Sequence, residues 1–562
     1  MNMKKLWLWV AIAAMALVVA CSKDETGSNG SGEDKPDVPV VENANIEGFV
    51  YDNNGAPMSG VVVSDGLQCV RTSKEGKFAF ESDLAKTRFV FVVQPAGYKA
   101  AAEQGKAQFY KQLGKGDAQQ INGVYRMRFT LDKITGNADR YTLVLAGDPQ
   151  PRNRTYGYDK FAYHSLDCCD DMWRDMSEYK ATITDRDVYG IMLGDLVHED
   201  MSLYADYLKG IASLGYPTYS VIGNHDNNPK ATTDTAGAEY FENNLGPRNY
   251  SLNLGKFHVV VLDNLIMKLN SSGELKSYNQ GLTDDIWQWL QNDLKMVDYS
   301  TPLIVCAHSP MFRLADGSER WSSTTTQHGA DYANLLSKYK KVYAWAGHTH
   351  KTFNYVYTAS SKLPNVECHT VGRVTGALWI NEWLCEEGTP RGYVVAEVDG
   401  ENISWRFKPI AYQSGAAVGE TPAYAYRDID LRNGVFYRNG KKLDESYQLR
   451  AYPRRSYGED DSYVYANVFM WDEQWGKVVF KPANGTPVEM TRVTEKSKMY
   501  DLAYQEVFDF YKTNNSTLAG NSDFSAATTT HLFRCYSLAQ TCSGTITATD
   551  RFGNEYSTTV KW

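Results

Sequence analysis

Five polar residues of the sequence closely follow apolar runs and carry side chains of the kinds that bind metal ions. Carboxylate and amide oxygens together with imidazole nitrogens form a mixed ligand set that suits Mn, Fe and Zn. Two such ions held side by side activate a water molecule and bind phosphoryl oxygens. These residue types therefore predict a metal site, provided that the fold brings them together. The five residues are Asp148, Asp195, Asn224, His308 and His348.

The apolar runs that precede these residues predict buried β-strands. They lack the strict alternation of a strand with one exposed face, and they alternate with helical patterns such as residues 201–214. Runs of this kind are typical of strands that are buried on both faces in a layered α/β domain. Such sheets place their sites at the carboxyl ends of the strands, where the five residues lie. The five runs that precede these residues are 141–146, 188–193, 219–222, 303–307 and 342–346, and a sixth run of the same kind is 257–262.

Each of these residues taken singly has a simpler structural explanation. His308 alone is more typical of a hydrogen-bonded core histidine, and Asp148 or Asp195 alone is typical of a turn or a helix cap. The residues nevertheless occur in one order at successive strand ends, which favours a shared site over several coincidences.

Five short motifs in this region resemble those of the calcineurin-like metallophosphoesterases. The resemblance extends from residue 147 to residue 350, and the order of the motifs and their strand context are intact. A set of ordered motifs is far more specific than any single motif. The motifs are Gly147-Asp148-Pro149-Gln150, Gly194-Asp195, Gly223-Asn224-His225-Asp226, Ala307-His308-Ser309-Pro310 and Gly347-His348-Thr349-His350.

The resemblance implies two divalent metal ions, either Mn, Fe or Zn, with Asp195 as the bridging ligand. Gln150 stands where many relatives have a histidine, and its neutral amide oxygen favours Mn or Fe or implies that one ion is held loosely. The implied ligands are Asp148, Gln150, Asp195 and His350 for one ion, and Asp195, Asn224, His308 and His348 for the other.

The resemblance also implies a mechanism. A water molecule between the ions would lose a proton and attack phosphorus in line with the leaving oxygen. His225 would protonate that leaving oxygen or stabilise the charged phosphoryl group. His198 replaces the acid that orients this histidine in many relatives, so Glu199, Asp200 or Asp226 is left for that task. Asp226 is accordingly grouped with His225 as a candidate catalytic residue.

Three arginines follow motif or strand segments and are candidates for substrate binding: Arg152, Arg313 and Arg373. An arginine binds phosphate through two parallel hydrogen bonds. The alternative for each is an ordinary surface ion pair, which is the commoner role of an arginine near a loop.

Short β-branched runs between Asn and Gly turns lie on both sides of the central region and predict β-rich modules. The first resembles the transthyretin-like repeats of secreted bacterial enzymes, which serve as spacers or packing platforms. The predicted fold class is a central layered α/β domain, with sheets flanked by helices, between two all-β sandwich-like domains. The predicted domains are residues 44–135, 138–412 and 413–562.

The first residues of the chain predict export and a lipid anchor. Lys4 and Lys5 precede a short apolar stretch, which makes residues 1–20 a signal peptide, although an uncleaved anchor helix is the alternative. The sequence Val18-Val19-Ala20-Cys21 resembles a bacterial lipobox, so Cys21 is the predicted acylated residue and residues 21–43 are a tether. The acidic residues after Cys21 resemble the export signal of surface lipoproteins in the Bacteroides group. We therefore expect an outer-membrane lipoprotein that contacts the membrane only through its anchor.

The composition narrows the class of substrate. The net charge is −9, and the only basic run is at the extreme N-terminus, so general nucleic-acid binding is disfavoured. The expected partner is a phosphorylated small molecule, glycan or lipid, present as a monoester or a diester. Two alternatives stay open, which are a nucleotide pyrophosphatase or nuclease with the same site, and a catalytically decayed surface protein that binds glycans.

Overall fold

The computed structural model describes most of the chain after residue 40. The described residues are 41–153, 157–158, 163–314, 316–377, 383–414, 428–495, 499–514 and 526–562. Cys21, the predicted signal peptide and residues 21–40 of the tether lie outside them. Within the described residues, no helix has the length and apolar character needed to span a membrane.

The N-terminal module consists of two packed β-sheets, which confirms the prediction of a β-rich module. Its first strand, Ile46–Asp52, alternates inward and outward side chains and pairs in parallel with Val124–Lys133. The predicted turn after it contains Gly55 in the left-handed conformation (φ 83°), which glycine adopts without strain. The remaining strands are Val62–Ser64, Cys69–Arg71, Lys77–Phe80, Phe89–Val92, Tyr98–Ala100, Tyr110–Gln112 and Gln119–Ile121.

The central region contains two mixed sheets, in agreement with the predicted layered α/β domain. The first sheet has seven strands, in the order Asn402–Pro409, Gly392–Asp399, Arg140–Ala146, Asp187–Met192, Thr218–Ser220, Lys106–Ala107 and Ala102–Glu103. The second sheet has six strands, in the order Tyr250–Leu254, Phe257–Leu262, Leu303–Ala307, Val342–Ala346, Val366–Thr370 and Phe353–Val356.

Alternate residues of the strand Arg140–Ala146 pack on two different cores. Leu143 and Leu145 belong to the core that also contains Val259 and Val261 of the second sheet. Val144 and Ala146 face the opposite way, into a core shared with the helices Ser165–Ala181 and Tyr204–Ser213. The strand is therefore buried on both faces, as its continuous apolar run predicts. The other α-helices of this region are Asp234–Gly237, Glu239–Leu245, Asp284–Leu294 and Gly329–Leu336, and a hairpin is formed by Leu265–Leu269 and Leu275–Gln280.

The N-terminal module is built into the central region and does not act only as a spacer. Its strand Lys106–Ala107 pairs with Thr218–Ser220 at the edge of the first sheet. Phe109 is buried, with its ring centroid 5.7 Å from that of Tyr219 and 4.7 Å from that of Tyr250. This shared aromatic core holds the module in place through apolar burial.

The C-terminal region is also β-rich, as predicted. Two four-stranded sheets enclose a core that contains Val464, Val478 and Ile546. Trp471 and Trp475 pack against this core, which favours a structural role over an exposed aromatic platform. The strands are Asp430–Arg432, Val435–Arg438, Lys441–Lys442, Leu449–Tyr452, Tyr463–Val468, Val478–Pro482, Val488–Glu489, Thr491–Arg492, Leu532–Tyr536, Ser543–Thr549 and Glu555–Lys561, with one helix at Leu502–Asn514.

Candidate metal centre and active site

The predicted metal ligands lie in loops at the carboxyl ends of strands from both central sheets. Five of them adopt left-handed backbone conformations, which are disfavoured for residues other than glycine. Such conformations cost about 1–3 kcal/mol each and cluster at functional sites, where the surrounding structure enforces them. The five residues are Asp148 (φ 55°), Gln150 (φ 46°), Asp195 (φ 50°), His348 (φ 67°) and His350 (φ 58°).

One group of possible ligand atoms comes from Asp195, His308 and His348. His308 Nδ1 donates a hydrogen bond to the Leu193 carbonyl oxygen at 2.7 Å, so Nε2 points towards the carboxylate of Asp195, 3.3 Å from Oδ1. His348 Nδ1 is 3.2 Å from the same His308 Nε2. A β-carbon on Gly194 would lie 2.4 Å from the His308 ring, so the glycine at this position is needed for the approach of the imidazole.

A second group of possible ligand atoms comes from Asp148, Asp195 and His350. His350 Nε2 is 3.6 Å from Asp148 Oδ1, and the Asp148 carboxylate also accepts hydrogen bonds from the backbone N–H of His348 at 3.0 and 3.1 Å. Asp195 alone belongs to both groups. The structure thus brings the two predicted sets together around the residue that was predicted to bridge them, while metal binding itself stays a prediction.

The electrostatics of the buried carboxylates favour a bound cation. Burial, together with the nearby Asp195, raises the pKa of Asp148 to about 7, because a charged carboxylate is unfavourable in a buried place and beside a second anion. Burial opposes a charge on His308, but Asp195 and Asp148 outweigh it and raise the pKa of His308 to about 10. A metal ion that binds here would therefore displace a proton from the site.

Two buried amide oxygens test whether these residues fit metal ions. Gln150 Nε2 donates to Asp195 Oδ2 at 3.1 Å, but Gln150 Oε1 has no hydrogen-bond partner among the described residues. Asn224 Oδ1 is likewise buried without a partner in this part of the chain. An unsatisfied buried acceptor costs about 1–3 kcal/mol. Two divalent cations would satisfy one oxygen each, so the residues fit the predicted pair of ions.

His225 lies beside this cluster with one ring nitrogen already engaged. Its Nδ1 is 3.3 Å from Glu199 Oε1, and Lys276 Nζ lies 2.8 Å from the other carboxylate oxygen. The hydrogen bond from His225 lowers the pKa of Glu199 to about 2, with a further contribution from Lys276. Of the three acids that the sequence left open, Glu199 is the one that orients His225. The backbone N–H of His225 donates to Asp195 Oδ1 at 2.9 Å, which ties it to the cluster.

His198 stacks on His225, with ring centroids 4.1 Å apart. Together with Glu199 these side chains form a third group of possible ligand atoms. The ammonium of Lys276 already occupies one oxygen of the Glu199 carboxylate, however, and a metal ion would compete with it. We therefore interpret these residues as the environment of His225.

Asp226 does not fit its predicted catalytic role. Its side chain is fully buried, and its carboxylate accepts hydrogen bonds from the backbone N–H groups of Leu196, Val197 and Gly223 at 2.8, 3.1 and 2.7 Å. These bonds join the loop after Asp195 to the loop that carries Asn224 and His225. Asp226 is therefore a positioning residue that does not contact substrate.

Two of the three candidate substrate-binding arginines are engaged elsewhere. Arg373 is fully buried beneath the site, where its Nε and Nη2 donate to the carbonyl oxygens of Asp148 and Gln150 at 3.3 and 3.1 Å. The guanidinium of Arg313 lies 3.8 Å from the ring centroid of Tyr355, and its Nη1 is 3.4 Å from Glu319. These contacts disfavour the prediction that the two arginines bind substrate, most strongly for the fully buried Arg373.

Arg152 is half-buried, and its charge acts on His198, which stacks on His225. Its role in substrate binding stays a prediction.

Several residues that support the site carry no recognisable signal in the sequence. The hydroxyl of Tyr278 lies 2.9 Å from His348 Nε2 and fixes the ring of that ligand. Thr352 lies two residues after the predicted ligand His350, and both its backbone N–H and its carbonyl oxygen form hydrogen bonds with residues distant in the chain. Its N–H donates to Glu387 Oε1 at 2.9 Å, and its carbonyl oxygen accepts from His531 Nε2 at 3.1 Å. The C-terminal region therefore helps to position a metal-ligand loop.

Three family models match the chain in consecutive segments. Residues 44–133 match the N terminal of Calcineurin-like phosphoesterase, residues 141–352 match Calcineurin-like phosphoesterase, and residues 368–556 match the C terminal of Calcineurin-like phosphoesterase. No curated protein matches the chain significantly. The central model contains all seven predicted metal ligands.

Solved structures show a distant similarity. A purple acid phosphatase, PPD1, from yellow lupin (Lupinus luteus) seeds is 16% identical, with 62% of this chain and 71% of that chain covered at a TM-score of 0.35. PhoD is 12% identical in sequence to this chain. The match covers 65% of this chain and 83% of PhoD, at a TM-score of 0.33. The calcineurin-like phosphoesterase YfkN from Bacillus subtilis is 13% identical in sequence. The match covers 48% of this chain and 91% of YfkN, at a TM-score of 0.26.

Asp195 is shared by both ligand groups, whereas Gln150 is assigned to one ion only, so substitutions of the two residues should affect metal binding differently. We expect Asp195→Ala to abolish binding of both ions, because only Asp195 contributes to both groups. Gln150→Ala should weaken mainly one ion. Asp206→Ala, on a helix surface, is the matched control and should keep both. Metal content measured by mass spectrometry after gel filtration checks these outcomes, and full occupancy in Asp195→Ala would contradict the bridging role.

Proposed function

The chain belongs to the calcineurin-like phosphoesterase family, and on this basis we propose that it hydrolyses phosphate esters at the cell envelope with two divalent metal ions. The observation that carries the proposal is the convergence of two ligand groups on Asp195, with two buried amide oxygens left unsatisfied beside them. Divalent cations would complete this arrangement, and the surrounding structure maintains it although the backbone of five of these residues is strained.

The donor atoms suit Mn, Fe or Zn, and the amide oxygens of Gln150 and Asn224 favour the harder ions of this set. Asp148, Gln150, Asp195 and His350 would hold one ion, and Asp195, Asn224, His308 and His348 the other. When bound, the two ions supply the positive charge that binds phosphoryl oxygens and promotes deprotonation of water.

The residues of the chain itself position the reacting groups. Arg373 fixes the backbone of Asp148 and Gln150 from below, and Asp226 joins the loops that follow two neighbouring strands. Because Glu199 engages Nδ1 of His225, Nε2 is the nitrogen that remains to donate a proton to the leaving oxygen. This arrangement supports a general acid that is held in one orientation.

The substrate in this proposal is a phosphorylated small molecule, glycan or lipid. A nucleotide pyrophosphatase or nuclease would use the same residues, but the net charge of −9 disfavours a polyanionic nucleic-acid substrate. A decayed protein that only binds glycans is disfavoured because the complete predicted ligand set and His225 are present at the site.

The metal requirement is the first test of this function. The purified protein should hydrolyse an aryl phosphate such as p-nitrophenyl phosphate and lose this activity in a chelator, because the attacking water is activated only by the ions. Addition of Mn, Fe or Zn should restore the rate, which is followed by the release of nitrophenolate. Activity that resists complete metal removal would refute the mechanism.

The role of His225 can be separated from metal binding. His225→Ala should keep both ions but lose roughly 10²–10⁴-fold in rate on alkyl phosphates, whose alkoxide must be protonated as it leaves. The loss should shrink on aryl phosphates as the pKa of the leaving group falls. The measurement is a plot of log rate against leaving-group pKa for both proteins, with metal content determined in parallel.

Glu199→Gln provides the matched variant, because it keeps His225 but removes the carboxylate that orients it. We expect its rate to depend on the leaving-group pKa in the same way as that of His225→Ala, with a smaller loss of rate. Equal losses in His225→Ala across the whole series, with both ions present, would show that His225 acts on the phosphoryl charge and is not the general acid.

We also propose that the acylated Cys21 holds the protein at the outer membrane, with a tether between the anchor and the folded region. The support for this is the lipobox-like sequence and the polar composition of residues 21–43. Cys21→Ala should move the protein from the membrane fraction to the soluble fraction without a change in kcat/KM, because acyl chains supply the membrane affinity. Cell fractionation followed by immunoblotting checks this. Membrane retention of an unprocessed chain would favour the uncleaved helix.

A further inference from the structure

The hairpin strand Leu275–Gln280 lies along the site and contacts it through several side chains. The ammonium of Lys276 lies 2.8 Å from Glu199 Oε2, which belongs to the carboxylate that orients the proposed general acid. The hydroxyl of Tyr278 lies 2.9 Å from His348 Nε2, and the two rings meet edge to face with centroids 5.4 Å apart. The same strand therefore contacts the partner of the general acid and a predicted metal ligand.

A third contact of this strand lies on the other side of Tyr278. Tyr278 and Gln280 are two residues apart, so their side chains share one face of the strand. Gln280 Nε2 donates a hydrogen bond to Ser309 Oγ, and Ser309 directly follows the predicted ligand His308 in the chain. The strand is therefore tied to the site before and after Tyr278, which fixes the position of the tyrosine ring.

The groups of the site differ in how far solvent reaches them. The side chains of Asp148 and His308 are fully buried, whereas those of His225 and His350 are 25% and 18% exposed. A substrate therefore reaches the predicted ligands from the side of these two histidines. Tyr278 is half-buried as they are, so it belongs to the groups that a bound substrate can contact.

The orientation of His348 decides what the hydroxyl of Tyr278 can do. His348 Nδ1 lies 3.2 Å from His308 Nε2, on the side of the ligand group that includes Asp195. In the proposed function His348 therefore binds its ion through Nδ1, which leaves the ring hydrogen on Nε2. That N–H donates to the oxygen of Tyr278, so the tyrosine keeps its own O–H as a donor. The described residues give this hydroxyl no other hydrogen-bond partner.

Resting on the proposed function, we propose that Tyr278 contacts the substrate, with its hydroxyl donating a hydrogen bond to a phosphoryl oxygen. A charged oxygen is the acceptor with which an O–H donor forms its strongest hydrogen bonds. A neutral donor also suits this place, because a further cation would be repelled by two divalent ions nearby. Tyr278 thus has two partners, the ring of His348 and the bound anion.

The test titrates inorganic phosphate into the metal-loaded protein and measures its affinity by calorimetry. Tyr278→Phe keeps the packed ring and should bind phosphate roughly 10- to 100-fold more weakly, as expected for loss of a hydrogen bond to a charged group. Its metal content, measured by mass spectrometry, should stay at two ions. Ser277→Ala removes an exposed hydroxyl from the same strand and is the matched control, which should bind phosphate as the wild type does.

Unchanged phosphate affinity in Tyr278→Phe, or no phosphate binding by the loaded wild type, would overturn the contact. Loss of an ion from Tyr278→Phe would overturn it as well, because the hydroxyl would then act only by fixing His348. In the wild type and both variants, kcat/KM for p-nitrophenyl phosphate should follow the phosphate affinity. If the loaded wild type hydrolyses no aryl phosphate, the proposed function fails, while the phosphate titration still decides whether Tyr278 contacts the anion.

Discussion

The structure of the central region depends on the burial of two neighbouring carboxylates, those of Asp148 and Asp195. Buried charges are costly unless they are paired, and like charges side by side raise that cost. The protein meets part of this cost with the imidazole of His308 and with backbone N–H donors from His348 and His225. Divalent cations would meet the rest, so the electrostatics of the folded chain are those of a metal-binding site.

This arrangement requires a rigid scaffold, because five of the ligand residues have backbone conformations that are disfavoured without support. Two sheets supply it by delivering their strand ends to one place, and Arg373 and Asp226 bind the loops from within. The flanking modules contribute as well. Lys106–Ala107 extends the first sheet, and His531 holds Thr352 after the last ligand. The three segments therefore form a single catalytic unit.

The groups around the ligands divide the remaining chemistry between two sides of the site. On one side, Glu199 holds His225 by its Nδ1 and is itself held by Lys276. On the other side, Tyr278 fixes the ring of His348 through a hydrogen bond of 2.9 Å. The two histidines are thus oriented by separate contacts, to Glu199 and to Tyr278.

The sequence by itself determined the order of the β-rich and α/β segments and the identities of the candidate ligands, because apolar runs and the residues that follow them are local patterns. It did not reveal that Asp148 and His308 end strands of different sheets. Only the tertiary structure decided which acid orients His225, and that Arg373 is buried beneath the site. The physical reason is that partners and burial depend on neighbours far apart in the chain, such as Arg373 and Gln150, whose contact no local spacing records.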